Sequence, residues 1–158
     1  MLGDTLLTLI SRWLHILSAT LAVGVPIYVR FVLIPAAEGT LDEEHHTRLR
    51  EAIVKKWRII VHLVIVIFLA TGFYTYLGVA RWKKLPPAAA TLYHILLGIK
   101  ILAALVMFTI SSALAGSSTL FAPMREKAKF WLLVLVLLGL LIIGISGVLR
   151  YTEPNYPQ

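Results

Sequence analysis

Four ionisable side chains lie inside long apolar stretches of the sequence, where a polar group is costly. They are His15, His62, His94 and Lys100. An ionisable residue in the hydrocarbon of a membrane is expensive, and such residues usually mark a functional site. Imidazole and amine nitrogens bind haem iron, transfer protons or hold acidic groups. These apolar stretches are therefore expected to contain the functional site.

The composition is typical of a membrane protein. Of the 158 residues, 59% are hydrophobic and 15% are charged, and the mean hydropathy is +0.85. Soluble domains average about 45–50% apolar and 25% charged residues, so a soluble globule is excluded. The net charge of +7 does not indicate nucleic-acid binding, because basic residues in an apolar chain flank membrane spans. The chain has no cysteine, which excludes disulfides and thiolate sites.

Four stretches are long enough to cross a bilayer, which takes roughly 20 apolar residues in a helix. They cover about residues 6–34, 57–80, 91–116 and 129–150. The predicted fold class is all-α, an integral-membrane four-helix bundle that forms one transmembrane domain over residues 1–158. The lipid bilayer is the expected partner.

Residues between the spans predict where the helices begin and end. Pro35 is expected to follow the first span, and Pro86–Pro87 to begin the third helix. Thr40 and Glu43 resemble a capping box, which predicts a helix from near Leu41 into the second span as a charged cytoplasmic extension.

The distribution of basic residues predicts the orientation in the membrane. Lys and Arg are more frequent in the first and third loops and favour the cytoplasmic side. We therefore predict a bacterial-type inner-membrane protein with both termini on the outer face.

His15 is a candidate haem ligand in the first span. Its helix face carries the small residues Ser11, Ser18, Ala19 and Ala22. Small residues allow either close helix packing or the approach of a flat ring system. Arg12, one turn nearer the outer interface, is placed to hold a haem propionate above iron bound by His15. The alternative is a core histidine bonded to a neighbouring helix, with Arg12 extended to the interface.

Three further candidates lie in the second and third spans. His94 is either a second iron ligand, with room for a ring beside Gly98, or an interfacial histidine in contact with water. Lys100 lies about level with His15 and either anchors an acidic group, transfers protons, ligates iron when neutral, or only bonds backbone carbonyls. His62, near the cytoplasmic end of its helix, is a ligand of a second haem or an interfacial histidine. Because no acidic residue lies inside a span, imidazole and amine remain, and these suit haem b in a helical bundle.

A family resemblance rests on residues in the first three helices. They are Arg12-Trp13-Leu14-His15-Ile16 with Gly24, Tyr28 and Arg30, then Lys55 to Arg58, Thr71-Gly72, Tyr93-His94 and Lys100. With them, the first two-thirds of the chain resembles the HemJ-like protoporphyrinogen oxidases and the related CopD-type membrane domains. The resemblance implies a four- or five-helix inner-membrane protein with haem b, in which His15 and Lys100 are important to activity. The implied reaction is the six-electron oxidation of protoporphyrinogen, with electrons passed to the respiratory chain.

Together these observations predict a membrane haem b redox protein, with His15 and either His94 or Lys100 as iron ligands. Its function is either protoporphyrinogen oxidation or electron transfer linked to a quinone. One alternative is a non-catalytic transmembrane subunit of a larger respiratory or photosynthetic complex, and association with further copies of the chain is also open. Another is a CopD-like copper-handling domain, for which the chain offers few soft ligands. Whether the protein is an enzyme is left open by the sequence.

Overall fold

The computed structural model describes residues 2–82 and 87–152, and over these ranges it contains helices and no strand. The all-α prediction is confirmed for this part of the chain. The elements are α1 (Leu2–Tyr28), a π-helical turn (Val29–Leu33), α2 (Ile34–Thr40), α3 (Glu43–Trp82), α4 (Pro87–Ala115), a 3-10 turn (Thr119–Phe121), α5 (Ala122–Glu126) and α6 (Ala128–Thr152).

Four helical segments are long and apolar enough to cross a membrane. They are Thr5–Thr40, Glu43–Gly78, Ala90–Ala115 and Ala128–Leu149, one for each predicted span. Their outer surfaces expose large apolar side chains such as Ile59, Phe73 and Leu102. An exposed apolar surface of this extent is unusual for a soluble monomer, and it is compatible with a multi-pass membrane protein.

The four long helices contact one another in a ring. α1 packs against α3 and α6, and α4 packs against the same two helices. The most buried apolar side chains lie between α4 and α6, where Met107 and Leu135 are 3% and 2% exposed. On the opposite side, α6 approaches α1 closely at Gly139, where a side chain would meet Val23. Small and large residues thus alternate across the contacts, as close packing requires.

The sequence predicted that the first helix ends before Pro35, but the helix continues past this residue. The chain remains helical through the π-helical turn and α2 as far as Thr40. Just before the proline, the amide of Ile34 donates to the carbonyl of Val29, five residues back. Proline lacks an N–H and its ring crowds the carbonyl four residues back. The wider turn accommodates both effects, so the helix continues past the proline.

The start of α3 also differs from the prediction. Asp42 caps the helix, because its carboxylate accepts a hydrogen bond of 2.8 Å from the backbone N–H of His45. That hydrogen bond lowers the pKa of Asp42. Thr40 instead donates its hydroxyl to the carbonyl of Ala36, 2.7 Å away, in the last turn of α2. The predicted capping box of Thr40 and Glu43 is therefore wrong.

The predicted continuity of the second helix is confirmed. α3 is a single helix of 40 residues, about 60 Å long and therefore about twice the hydrocarbon thickness of a bilayer. Its first half carries most of its charged residues. The third helix begins at Pro87 as predicted, and Pro86 lies outside the described residues.

Candidate functional site around His15

His15 is held at the contact between α1 and α3. Its side chain is half-buried, and its Nδ1 lies 2.9 Å from the hydroxyl oxygen of Thr71. Thr71 itself is buried on the face of α3 that packs against α1. The hydrogen bond therefore joins two helices and fixes the orientation of the imidazole.

The hydrogen bonds of Thr71 determine which way the proton of His15 points. The Thr71 hydroxyl lies 2.7 Å from the carbonyl oxygen of Ile67 and 3.2 Å from that of Phe68. Both carbonyls can only accept, and a hydroxyl has one proton to donate. The Thr71 proton is accordingly directed at Ile67, and Nδ1 of His15 donates to Thr71. This tautomer leaves a lone pair on Nε2 of His15.

Aromatic and glycine residues of α3 and α4 shape the space around the imidazole. Phe68 covers the ring, with centroids 4.2 Å apart, and is itself packed against Phe108 at 5.4 Å. A Cβ on Gly72 would lie 3.5 Å from Cε1 of His15. This is ordinary van der Waals distance, so the glycine places no side chain against that edge of the ring.

Two further polar groups near His15 lack hydrogen-bond partners among the described residues. Lys100 lies close enough to His15 for an electrostatic interaction, and its half-buried amine makes no hydrogen bond or ion pair within the described parts of the chain. Ser11 precedes His15 by one helical turn, and its Oγ is buried and unpaired. Buried polar groups are normally paired, so this part of the molecule can accept a polar ligand.

The other predicted site residues lie apart from His15. The side chain of Arg12 is exposed, as are those of His94 and His62. His94 donates Nδ1 to the carbonyl of Ala90 at 2.6 Å, and His62 donates Nδ1 to the carbonyl one turn before it, at 2.7 Å. Within the described ranges, their polar contacts are thus with their own helices. Lys100 is thus the one of these residues that interacts electrostatically with His15, and the other three lie on outer surfaces.

Phe68 was not selected from the sequence, and Thr71 was noted only in the family resemblance and not as a site residue. They share a face of α3 with Val64, at intervals of four and three residues, and that face packs inward. The stripe that begins at His62 and includes Phe73 is exposed instead. Both faces are apolar, so hydrophobicity does not distinguish them. The signal that could have done so is the isolated hydroxyl of Thr71, since a polar group in an apolar helix usually faces other helices.

The described residues contain no group of three or more His, Asp or Glu side chains that could hold a metal ion. Haem requires only one or two protein ligands, so this finding has no bearing on haem. No protein-family model, curated protein or solved structure matches the chain.

Proposed function

We propose that the protein is a membrane haem b redox protein in which Nε2 of His15 is an axial ligand of the iron. The hydrogen bond from Nδ1 of His15 to Thr71 carries this proposal. A histidine that binds a metal almost always donates its other ring N–H to a protein acceptor, which fixes its tautomer and orientation. Thr71 provides that acceptor. His62 and His94 also donate Nδ1, but to carbonyls of their own helices and from exposed positions, so His15 differs from them in being held between two helices.

The groups around His15 fit a haem. Nε2 is a nitrogen donor of the kind that binds haem iron, and Gly72 places no side chain against Cε1, the atom next to Nε2. The unpaired hydroxyl of Ser11 and the ammonium of Lys100 can receive a propionate or hold a proton. Haem would supply one-electron chemistry, while the chain orients it and excludes water. Lys100, being near His15, is better supported as the second functional residue than the exposed His94.

Two redox functions remain within this proposal: protoporphyrinogen oxidation, and electron transfer between a quinone and another acceptor of the respiratory chain. In both, the protein lies in an inner membrane with its termini outside, and Lys100 is the residue that acts on the substrate or on its protons. A non-catalytic subunit of a larger complex is the alternative, and no specific contact in the structure favours it.

The absorption spectrum tests the proposal. Protein expressed with full haem supply and purified in detergent is expected to show a Soret band. Thr71→Val removes the acceptor for Nδ1 while keeping the shape of the side chain, and should weaken haem affinity by about 10–100-fold, the usual effect of losing such a partner. Thr71→Ser keeps the hydroxyl and should bind haem nearly as the wild type does.

A colourless preparation would overturn the haem proposal, and equal haem affinity of the Val and Ser variants would remove the role of Thr71. Complementation of a strain that lacks protoporphyrinogen oxidase then separates the two redox functions. Growth supports the oxidase, whereas a red protein that does not complement supports an electron carrier. Recovery only within a larger complex and without haem supports the subunit.

A further inference from the structure

A large, partly open cavity lies between the helices, away from His15. Its volume is about 1320 Å³, larger than the roughly 300–1,000 Å³ of sites for small molecules. All the long helices contribute to it. Its apolar end is lined by Val61, Val64, Ile65, Met107, Phe108 and Leu135. A ligand that fills this end must be long and apolar.

The other end of the cavity is basic. Five cationic and three acidic side chains line it, which leaves an excess of positive charge. The cations are Arg50, Lys55, Arg58, Arg125 and Lys129, and the acids are Glu38, Glu51 and Glu126. Lys129 and Glu38 neutralise each other across 2.6 Å. The three arginines therefore dominate the charge of this rim.

The arginines are not neutralised by carboxylates. Nη2 of Arg50 donates to the backbone carbonyl of Arg125 at 2.6 Å, and Nε of Arg58 donates to the carbonyl of Ala115 at 2.8 Å. Nη1 of Arg125 is buried and has no hydrogen-bond partner in the described parts of the chain. None of the three forms an ion pair with a described acidic residue. Three guanidinium groups without a described ion pair, on a rim where the cations outnumber the acids, favour an anionic ligand.

The basic and apolar ends of the cavity are separated along α3, as the headgroup and acyl chains are in a phospholipid. Arg50, Arg58 and Val64 line the cavity in this order, and Arg50 and Val64 are about 21 Å apart along the axis of an α-helix. The basic end thus lies in the charged first half of α3, and Val64 lies in the apolar half that follows. Basic pockets between membrane helices bind anionic lipid headgroups.

We propose that this cavity binds one anionic phospholipid, with an acyl chain against Val64 and Phe108 and the headgroup phosphate at Arg50, Arg58 and Arg125. The cavity is not lined by His15, Thr71 or Phe68, and it adjoins their surroundings at Phe108, which packs against Phe68. It does not depend on haem binding.

Lipid titration of the purified, delipidated protein in detergent tests this site. The probes are dioleoylphosphatidylglycerol and dioleoylphosphatidylcholine, which carry the same chains and differ in headgroup charge. The wild type should bind phosphatidylglycerol more tightly. A lysine or arginine near a membrane surface contributes about fivefold in affinity for anionic lipid. Arg50→Gln should therefore weaken binding about fivefold and the double variant with Arg125→Gln about 25-fold.

Arg48→Gln is the matched control. Arg48 lies on the same helix outside the cavity and pairs with Glu44 at 2.6 Å, so this variant loses the same charge and should bind as the wild type does. Arg125→Lys keeps the charge and should retain most of the affinity even where Arg125→Gln fails to fold. Equal affinity for the two lipids, or an equal loss in Arg48→Gln and Arg50→Gln, would overturn the proposal. Complete competition by inorganic phosphate or by oleate would also overturn it, because either would replace the phospholipid as the ligand.

Discussion

His15→Ala is expected to abolish the Soret band of the haem-loaded protein. The substitution removes Nε2, the nitrogen proposed to bind iron, and its effect should exceed the roughly 10–100-fold loss that follows removal of an outer partner such as Thr71. The measurement is haem affinity, obtained by titrating haem into detergent-solubilised protein and following absorbance. Added imidazole should restore part of the band, because it can occupy the space that the side chain leaves and bind iron itself.

His62→Ala and His94→Ala are the matched controls for this result. Both residues are exposed and hydrogen-bonded within their own helices, so both variants should keep the band. Circular dichroism of His15→Ala should show unchanged helix content, since the helices have many other contacts. A Soret band of normal intensity in His15→Ala would show that His15 is only a packed, hydrogen-bonded histidine. Loss of the band in His94→Ala would instead place the haem at the exposed face of α4.

The elements that the sequence predicted correctly depend on long apolar runs. Spans need only length and hydrophobicity, so each of the four appears as a helix near its expected position. The ends of the helices depend instead on which of several nearby residues ends or caps the helix. Pro35 should have ended a helix by its own chemistry, yet a single π-helical turn accommodates it. At the start of α3, Asp42 and Thr40 are both residue types that cap helices well. Asp42 becomes the cap because Thr40 is still the last residue of α2.

The candidate site was predictable in part for a related reason. His15 and Lys100 stand out because ionisable residues in apolar runs are rare. Their similar depth, in two helices that both pack against α3 and α6, allows them to interact. The rotation of each helix about its axis was not predictable. In spans that are apolar on every face, periodicity does not indicate the buried side. That rotation leaves His62 and His94 exposed and turns Thr71 towards His15.

Gly139→Ala is expected to destabilise the protein, although alanine favours a helix more than glycine does. A Cβ at residue 139 would lie 2.7 Å and 3.1 Å from the two γ-carbons of Val23 and 3.4 Å from its Cβ. A β-branched side chain in a helix has one strongly preferred rotamer, so Val23 cannot turn away. Either α1 and α6 move apart or Val23 adopts a strained rotamer, and such overpacking costs about 1–3 kcal/mol. Thermal unfolding in detergent measures the loss.

Gly144→Ala is the control, and it should change stability in the opposite direction. Gly144 lies on the same helix and a Cβ there would meet nothing within 4 Å, so the variant should gain up to about 1 kcal/mol from helix propensity. Combining Gly139→Ala with Val23→Ala removes the clash, so the double variant should be more stable than the sum of the single changes predicts. Equal effects of Gly139→Ala and Gly144→Ala would contradict the close approach of α1 and α6. Because α6 supports α1 on the side away from α3, the same experiment measures how firmly the helix that carries His15 is held.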